Sequence, residues 1–268
     1  MKVFITVDLE GISGWIQSDP AEHQRERELL TADANAAIAG AFDGGADEVL
    51  VTEAHGNMRN LIPENLDHRA TFLSGAPKPQ NHMVGIDSSF NGAMFVGYHS
   101  KAGTKHGVMA HTYRSTTVYL LRFNGVEVGE IGTDAAIAGY YKVPVVLVAG
   151  DKAACNEARN LLGEVETVAV KEGISRQAAR CLPLEEAHRL IREGAKVALG
   201  RAKAIAPFSF DPPIKAEVAF INPTQADAVS NLPFVERLDG YTIRFVSDDF
   251  LKAFEIFDAL YRLASYYQ

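Results

Sequence analysis

The chain has 268 residues, 47% of them apolar and 22% charged, an ordinary soluble composition with ample material for a packed core. A net charge of −8, with no block of five or more like charges, argues against a nucleic-acid or anionic-membrane partner, since both need a basic patch. No run of about 18 apolar residues marks a membrane helix, no signal peptide is indicated at the N-terminus, and two cysteines make no disulfide framework, so the expected setting is a reducing cytoplasm.

In chain order, Val3–Val7 reads as a buried strand that ends at Asp8, Glu10 and Gly11. The stretch from Glu22 to Gly44 is a helix with a broad apolar face (Leu29, Leu30, Ala37, Ile38, Ala41), closed by Gly44 and Gly45. Glu48–Thr52 is the next strand and His55 follows it; Ala93–Val96 is a third, followed by His99. Strand, helix, strand at this spacing predicts βαβ units and a mainly parallel sheet flanked by helices. Val118–Phe123 and Val126–Val128, joined by Asn124-Gly125, predict a β-hairpin. A helix over Thr133–Tyr141 then leads into a strand within Val143–Ala149, and Asp151 after it reads as a structural cap.

Beyond residue 170 the pattern changes. Ser175 is the expected N-cap of a short helix over Arg176–Leu182, Leu184–Leu199 is a second amphipathic helix, and Pro207–Pro213 is a connector. Ala216–Ile221 and Thr242–Phe245 read as strands, and Asp249–Tyr267 as a terminal helix with an aromatic core or subunit-interface stripe. The expectation is an α/β metal-binding core over 1–170, with an α+β region over 171–268 packed on it or continuous with it.

The candidate chemistry lies at the strand ends. Residues two apart in an extended chain point the same way, so Asp8 and Glu10 aim two carboxylates at one spot, where only a cation or a proton relieves their repulsion. Such a pair alone is as well explained by a cap or a solvated loop. His55 and His99 repeat the placement at the carboxyl ends of two further strands, where ligands bind in α/β sheets. His111 adjoins a short apolar run that would fix it, whereas His106, beside Lys105 and Gly107, looks mobile. Glu130 stands between Gly129 and Ile131-Gly132 just after the hairpin, or is simply a strand-edge glutamate. Five oxygen and nitrogen ligands suit Zn²⁺, Mn²⁺ or Co²⁺ and exceed what one catalytic zinc takes; they suit two ions spaced about 3.5–4 Å apart, with His111 left for proton transfer. His23, His68, His82 and His188 read as surface residues, and Cys155 and Cys181 as buried apolar ones. No Walker loop, G-x-S-x-G elbow or H-E-x-x-H helix occurs.

The motifs V-D-L-E-G-I-S-G (Val7–Gly14), E-V-L-V-T-E-A-H ending at His55, F-V-G-Y-H ending at His99, G-V-M-A-H ending at His111, V-G-E-I-G around Glu130, V-A-G-D at Val148–Asp151 and A-V-K-E-G-I-S-R from Ala169 follow one another in a fixed order. In this series the chain resembles the DppA-type zinc D-aminopeptidases over nearly its full length. The resemblance implies a two-zinc peptidase for short peptides with an N-terminal D-residue such as D-Ala. Under it Asp8 bridges both ions, Glu10 and His99 complete one site, His55 and Glu130 complete the other, and His111 is the catalytic histidine. It also implies a homo-oligomer, a ring-stacked homodecamer. The loop from His99 to His111 departs from the family pattern: it is one residue longer and carries Lys105 and His106 where a proline is expected. Trp15–His23 is also shorter and different. The alternatives are a metal-dependent amidohydrolase for L-peptides or another small amide, and a non-catalytic homologue used as an assembly module.

Overall fold

The computed structural model describes residues 1–267. Its first strand, β1 (Lys2–Val7), alternates Val3, Ile5 and Val7 toward one face and Phe4 toward the other, all buried. Apolar residues on both faces mark a strand at the centre of a covered sheet. The next elements are α1 (His23–Asp43), β2 (Glu48–Glu53), β3 (Thr71–Leu73), β4 (Gly92–Tyr98), and the hairpin β5 (Val118–Phe123) and β6 (Val126–Glu127). They continue as α2 (Glu130–Tyr140), β7 (Val145–Asp151), α3 (Lys152–Leu162), β8 (Glu166–Ser175), β9 (Ala178–Cys181) and α4 (Leu184–Arg201). The C-terminal elements are β10 (Ile214–Phe220), α5 (Pro223–Ser230), β11 (Glu236–Arg237), β12 (Thr242–Ser247) and α6 (Phe250–Ala264).

The larger sheet has the order β3-β2-β1-β4-β7-β8-β9, parallel except for the β8–β9 pair. The chain leaves β1 toward β2 on one side and returns to β4 on the other, so the strand order reverses between β1 and β4. A crevice opens at the carboxyl ends of strands at such a point. One face is covered by α1 and α4 through Leu30, Ile38, Ile191 and Ala195. The other is covered by α2, α6 and a second, antiparallel sheet of order β11-β12-β10-β5-β6, through Phe95, Ile131, Phe245, Phe254 and Phe257.

The fold class is as read from the sequence, with three corrections. Residues 176–182 are not a helix: β8 and β9 form an antiparallel hairpin at the sheet edge, with Gly173 facing Ala179. Cys181 is therefore a half-buried strand residue, while Cys155 is buried in α3. Residue 170 lies inside β8, and the second sheet joins β10 and β12 to the hairpin β5–β6 of the front half, so the expected boundary cuts through both sheets.

Candidate active site

Two glycines let the ends of β1 and β4 meet. A side chain at Gly97, whose φ is +72°, would lie 2.0 Å from the Asp8 carbonyl, and one at Gly11 would lie 2.0 Å from the Tyr98 carbonyl. The backbones bond directly, Asp8 N–H to Val96 O at 2.8 Å and Gly11 N–H to Gly97 O at 2.7 Å. Asp8 and Glu10 are thereby brought beside His99. His55 arrives two residues beyond β2. Glu130 opens α2 instead of edging a strand, so the helix begins three residues before its expected start. Its charge there meets the unsatisfied N–H groups of a helix N-terminus. The loop carrying His111 is fixed from outside: Asp151 caps α3 at Ala154 N–H and also accepts Val108 N–H at 2.9 Å.

All six candidate residues converge. The His55 Nδ1–H donates to Glu10 Oε2 at 2.9 Å and lies 3.7 Å from Asp8 Oδ1. His99 Nε2 lies 3.4 Å from both Asp8 Oδ2 and Glu130 Oε1, and His111 Nε2 lies 3.7 Å from Glu130 Oε1 and 3.9 Å from Glu10 Oε1. The rings of His99 and His111 stack at 4.1 Å. Each donates its Nδ1–H to a backbone carbonyl at 2.9 Å, Ser100 O for His99 and Met109 O for His111, which leaves Nε2 facing the carboxylates. Two sets, Asp8–Glu10–His99 and His99–His111–Glu130, each have ligand atoms within 4.8 Å of one another.

Burial and then the charge of Glu10 push the Asp8 carboxyl above its ordinary range. Burial opposes the charges on Glu10 and Glu130, but the histidines overcome it: His55, His111 and His99 hold Glu10 well below the usual value, and His99 and His111 draw Glu130 down to about 2. Burial likewise opposes a charged His55, yet Glu10 and Asp8 raise it to about 11. The residues fit a metal on two counts. Asp8 Oδ2 and His99 Nε2 are buried with no hydrogen-bond partner, and buried polar atoms rarely stay unpaired without an ion or water. The histidine N–H groups given to carbonyls are also the usual outer support of imidazole ligands.

His106 lies outside this group, exposed on its loop with Nδ1–H donated to Ile174 O. His23 and His68 are also exposed, whereas His188 is half-buried against Asp33 at 3.1 Å. His82 corrects the surface reading: it is buried, donates Nδ1–H to Asp134 at 3.0 Å, and stacks on Tyr113, whose own N–H bonds Glu130 Oε1 at 2.6 Å. Its partner lies 52 residues away, so no local pattern announces it. Lys171 was also missed. Buried beneath the site, its ammonium donates to the carbonyls of Glu10, Ile12 and Trp15 at 2.6–2.8 Å. Burial draws it down to about 8, so it keeps its charge at neutral pH.

A doubly covered α/β sheet with acids and imidazoles gathered at the carboxyl ends of its strands defines a hydrolase of the metal-dependent kind. The chain belongs to the peptidase M55 family of D-aminopeptidases, whose model matches residues 1–259. It is 39% identical over 272 residues to a D-aminopeptidase of Bacillus subtilis strain 168, covering 98% of both chains. Its fold matches that of the Zn-dependent D-aminopeptidase DppA from Bacillus subtilis, described as a self-compartmentalizing protease, with a TM-score of 0.96 at 38% identity, over 99% of this chain and 98% of that one. The family read from the motif series is thus borne out.

Proposed function

We propose that this chain is a two-zinc D-aminopeptidase that cleaves short peptides bearing an N-terminal D-residue such as D-Ala. The observation that carries it is the convergence of Asp8, Glu10, His55, His99, His111 and Glu130 at one switch point in a chain of this family. Asp8 would be shared between two ions, Glu10 and His99 would hold one of them, and His55 and Glu130 would hold the other. Zinc in such a site activates water at neutral pH and polarises the scissile carbonyl. The protein's part is positioning and proton handling. His111 Nδ1–H is tied to Met109 O, so Nε2 is the atom that reaches the reacting groups, to protonate the leaving amine or bond the developing oxyanion. The N-terminal ammonium of a peptide finds compensation in the carboxylates.

The match to a self-compartmentalizing protease supports a homo-oligomer, for which we propose the family's ring-stacked decamer, and the two free cysteines suit a cytoplasmic setting. Among the described residues no helix is long and apolar enough to cross a membrane. The test is metal analysis with hydrolysis of D-Ala-p-nitroanilide and its L-enantiomer, with and without chelator. About two zincs per chain and D-selective, chelator-sensitive turnover are expected. Preference for the L-substrate would favour the amidohydrolase alternative, and no turnover with metal present would favour the assembly module.

A further inference from the structure

Beside the six residues lies a cleft of about 530 Å³. Gly56, next to His55, lines it, as do His82 and Tyr113, which both lie against Glu130, so the cleft adjoins the reaction site through these neighbours. Its charge is the reverse of the molecule's. The chain carries −8 overall, yet Arg114, Arg262 and His82 line this cleft and, among the described residues, no Asp or Glu does. The acids stand one layer back: Asp134 holds His82 at Nδ1, and Asp258 holds Arg262 through Nε and one Nη at 2.7 and 3.0 Å. Arg114, three residues after His111, is exposed, and its guanidinium meets no partner among the described residues. An unpaired guanidinium is a two-pronged donor matched to carboxylate.

We propose that this cleft is a carboxylate subsite in which Arg114 receives an anionic group of the substrate, making it the specificity-determining residue for acidic peptides. The proposal rests on the peptidase reading, since it places the portion of the peptide beyond the scissile bond in the cleft. A residue spans at most about 3.6 Å, so a carboxylate one or two residues past the cleaved bond stays within a cleft contiguous with the site. That carboxylate comes either from the C-terminus of a di- or tripeptide or from an acidic side chain.

The test compares D-Ala-D-Ala with its C-terminal amide, and D-Ala-D-Glu amide with D-Ala-D-Gln amide, on the parent and on Arg114→Ala and Arg114→Lys. Losing a charged hydrogen-bonded pair should raise KM for the carboxylate substrate about 10- to 100-fold with kcat little changed. The neutral partner should be unaffected, and Arg114→Lys should recover part of the loss. Discrimination within the first pair assigns the C-terminus, and within the second the side chain. An acid-to-neutral ratio of kcat/KM in Arg114→Ala equal to the parental one in both pairs overturns the proposal. D-Ala-p-nitroanilide carries no carboxylate and reads the hydrolytic centre alone: Arg114→Ala should cleave it within about twofold of the parent. If the parent does not cleave it, the peptidase reading fails. The subsite is then judged by NMR titration with N-acetyl-D-alanine and its amide, where Arg114-dependent binding of the acid upholds it and equal binding of both overturns it.

Discussion

At the scale of single residues, the distance of each histidine from the carboxylates separates the roles in the site. His111 differs from His55 and His99 in its surroundings: its Nε2 lies 3.7 Å or more from any carboxylate oxygen, against 2.9 Å for His55 and 3.4 Å for His99. His111→Ala should therefore keep both metals and lose turnover at least about a hundredfold, the usual worth of one general acid–base group. Metal loss from this variant, measured by elemental analysis, would make His111 a ligand instead. His55 gives a second expectation. Its pKa of about 11 lies above neutral, so the folded chain holds it protonated, paired to Glu10 and Asp8. As the proposed metal ligand His55 would have to be neutral, so zinc binding should eject that proton. Glu130, drawn to about 2, is already ionised at neutral pH and contributes none. Adding zinc to chelator-stripped protein at pH 7 in weak buffer should thus acidify an indicator dye, and zinc affinity should fall as pH drops. An unmoved dye would contradict the assigned protonation. These residues were legible in the sequence because each primary candidate stands at a strand's carboxyl end, next to a glycine or, for His111, beside a short apolar run. His82 and Asp134 were not, because they belong to each other only after β4 and α2 have packed.

At the scale of elements, the segment after β1 is the part that must be held. It carries Glu10 yet belongs to no helix or strand, and three buried polar groups secure it. Asp33 accepts the Ser13 N–H and hydroxyl, Glu26 accepts the Trp15 indole N–H, and Lys171 from β8 donates to three of its carbonyls. Lys171→Met keeps the apolar stem and removes every donor. Each buried carbonyl left unpaired costs about 1–3 kcal/mol, so stability should fall by on the order of 3 kcal/mol or more in urea unfolding. The Glu10 carboxylate would lose its support as well, and zinc affinity should drop about 10- to 100-fold, as when outer-layer partners of ligands are removed. Parental values of both would show that Lys171 is not a clamp. The sequence marks this lysine only within a motif of the series, since nothing local tells a buried ammonium from a surface one. The hairpin β8–β9 was illegible for a related reason. Arg176, Ala178, Ala179 and Arg180 favour helix by intrinsic propensity, and it is pairing with β7 and β8 that imposes the strand. The apolar strands β1, β4 and β7, buried on both faces, were legible as uninterrupted runs.

At the scale of the whole molecule, the second sheet sets what the chain can assemble into. Its strands come from both halves, β5–β6 from before residue 130 and β10–β12 from after 210, so no reading of either half alone reveals it. On its outer side Tyr119, Ile221 and Tyr241 line one depression and are 59%, 45% and 49% exposed. Large apolar groups clustered this way on a single chain mark a surface that something covers. In the proposed ring assembly each subunit repeats every contact, so a single charge placed at a contact is multiplied by the symmetry. Sedimentation of the parent should give a species many times the 29.1 kDa of one chain. Tyr119→Lys should shift it toward smaller species, with its far-ultraviolet circular dichroism unchanged, because Tyr119 points away from the core. Enclosure would also limit access, so the parent should cleave D-alanyl di- and tripeptides while leaving a folded protein carrying the same N-terminal D-Ala intact. A parental protein that sediments as a single chain would remove the enclosure, and the size limit on substrates would then rest on the cleft at Arg114 alone.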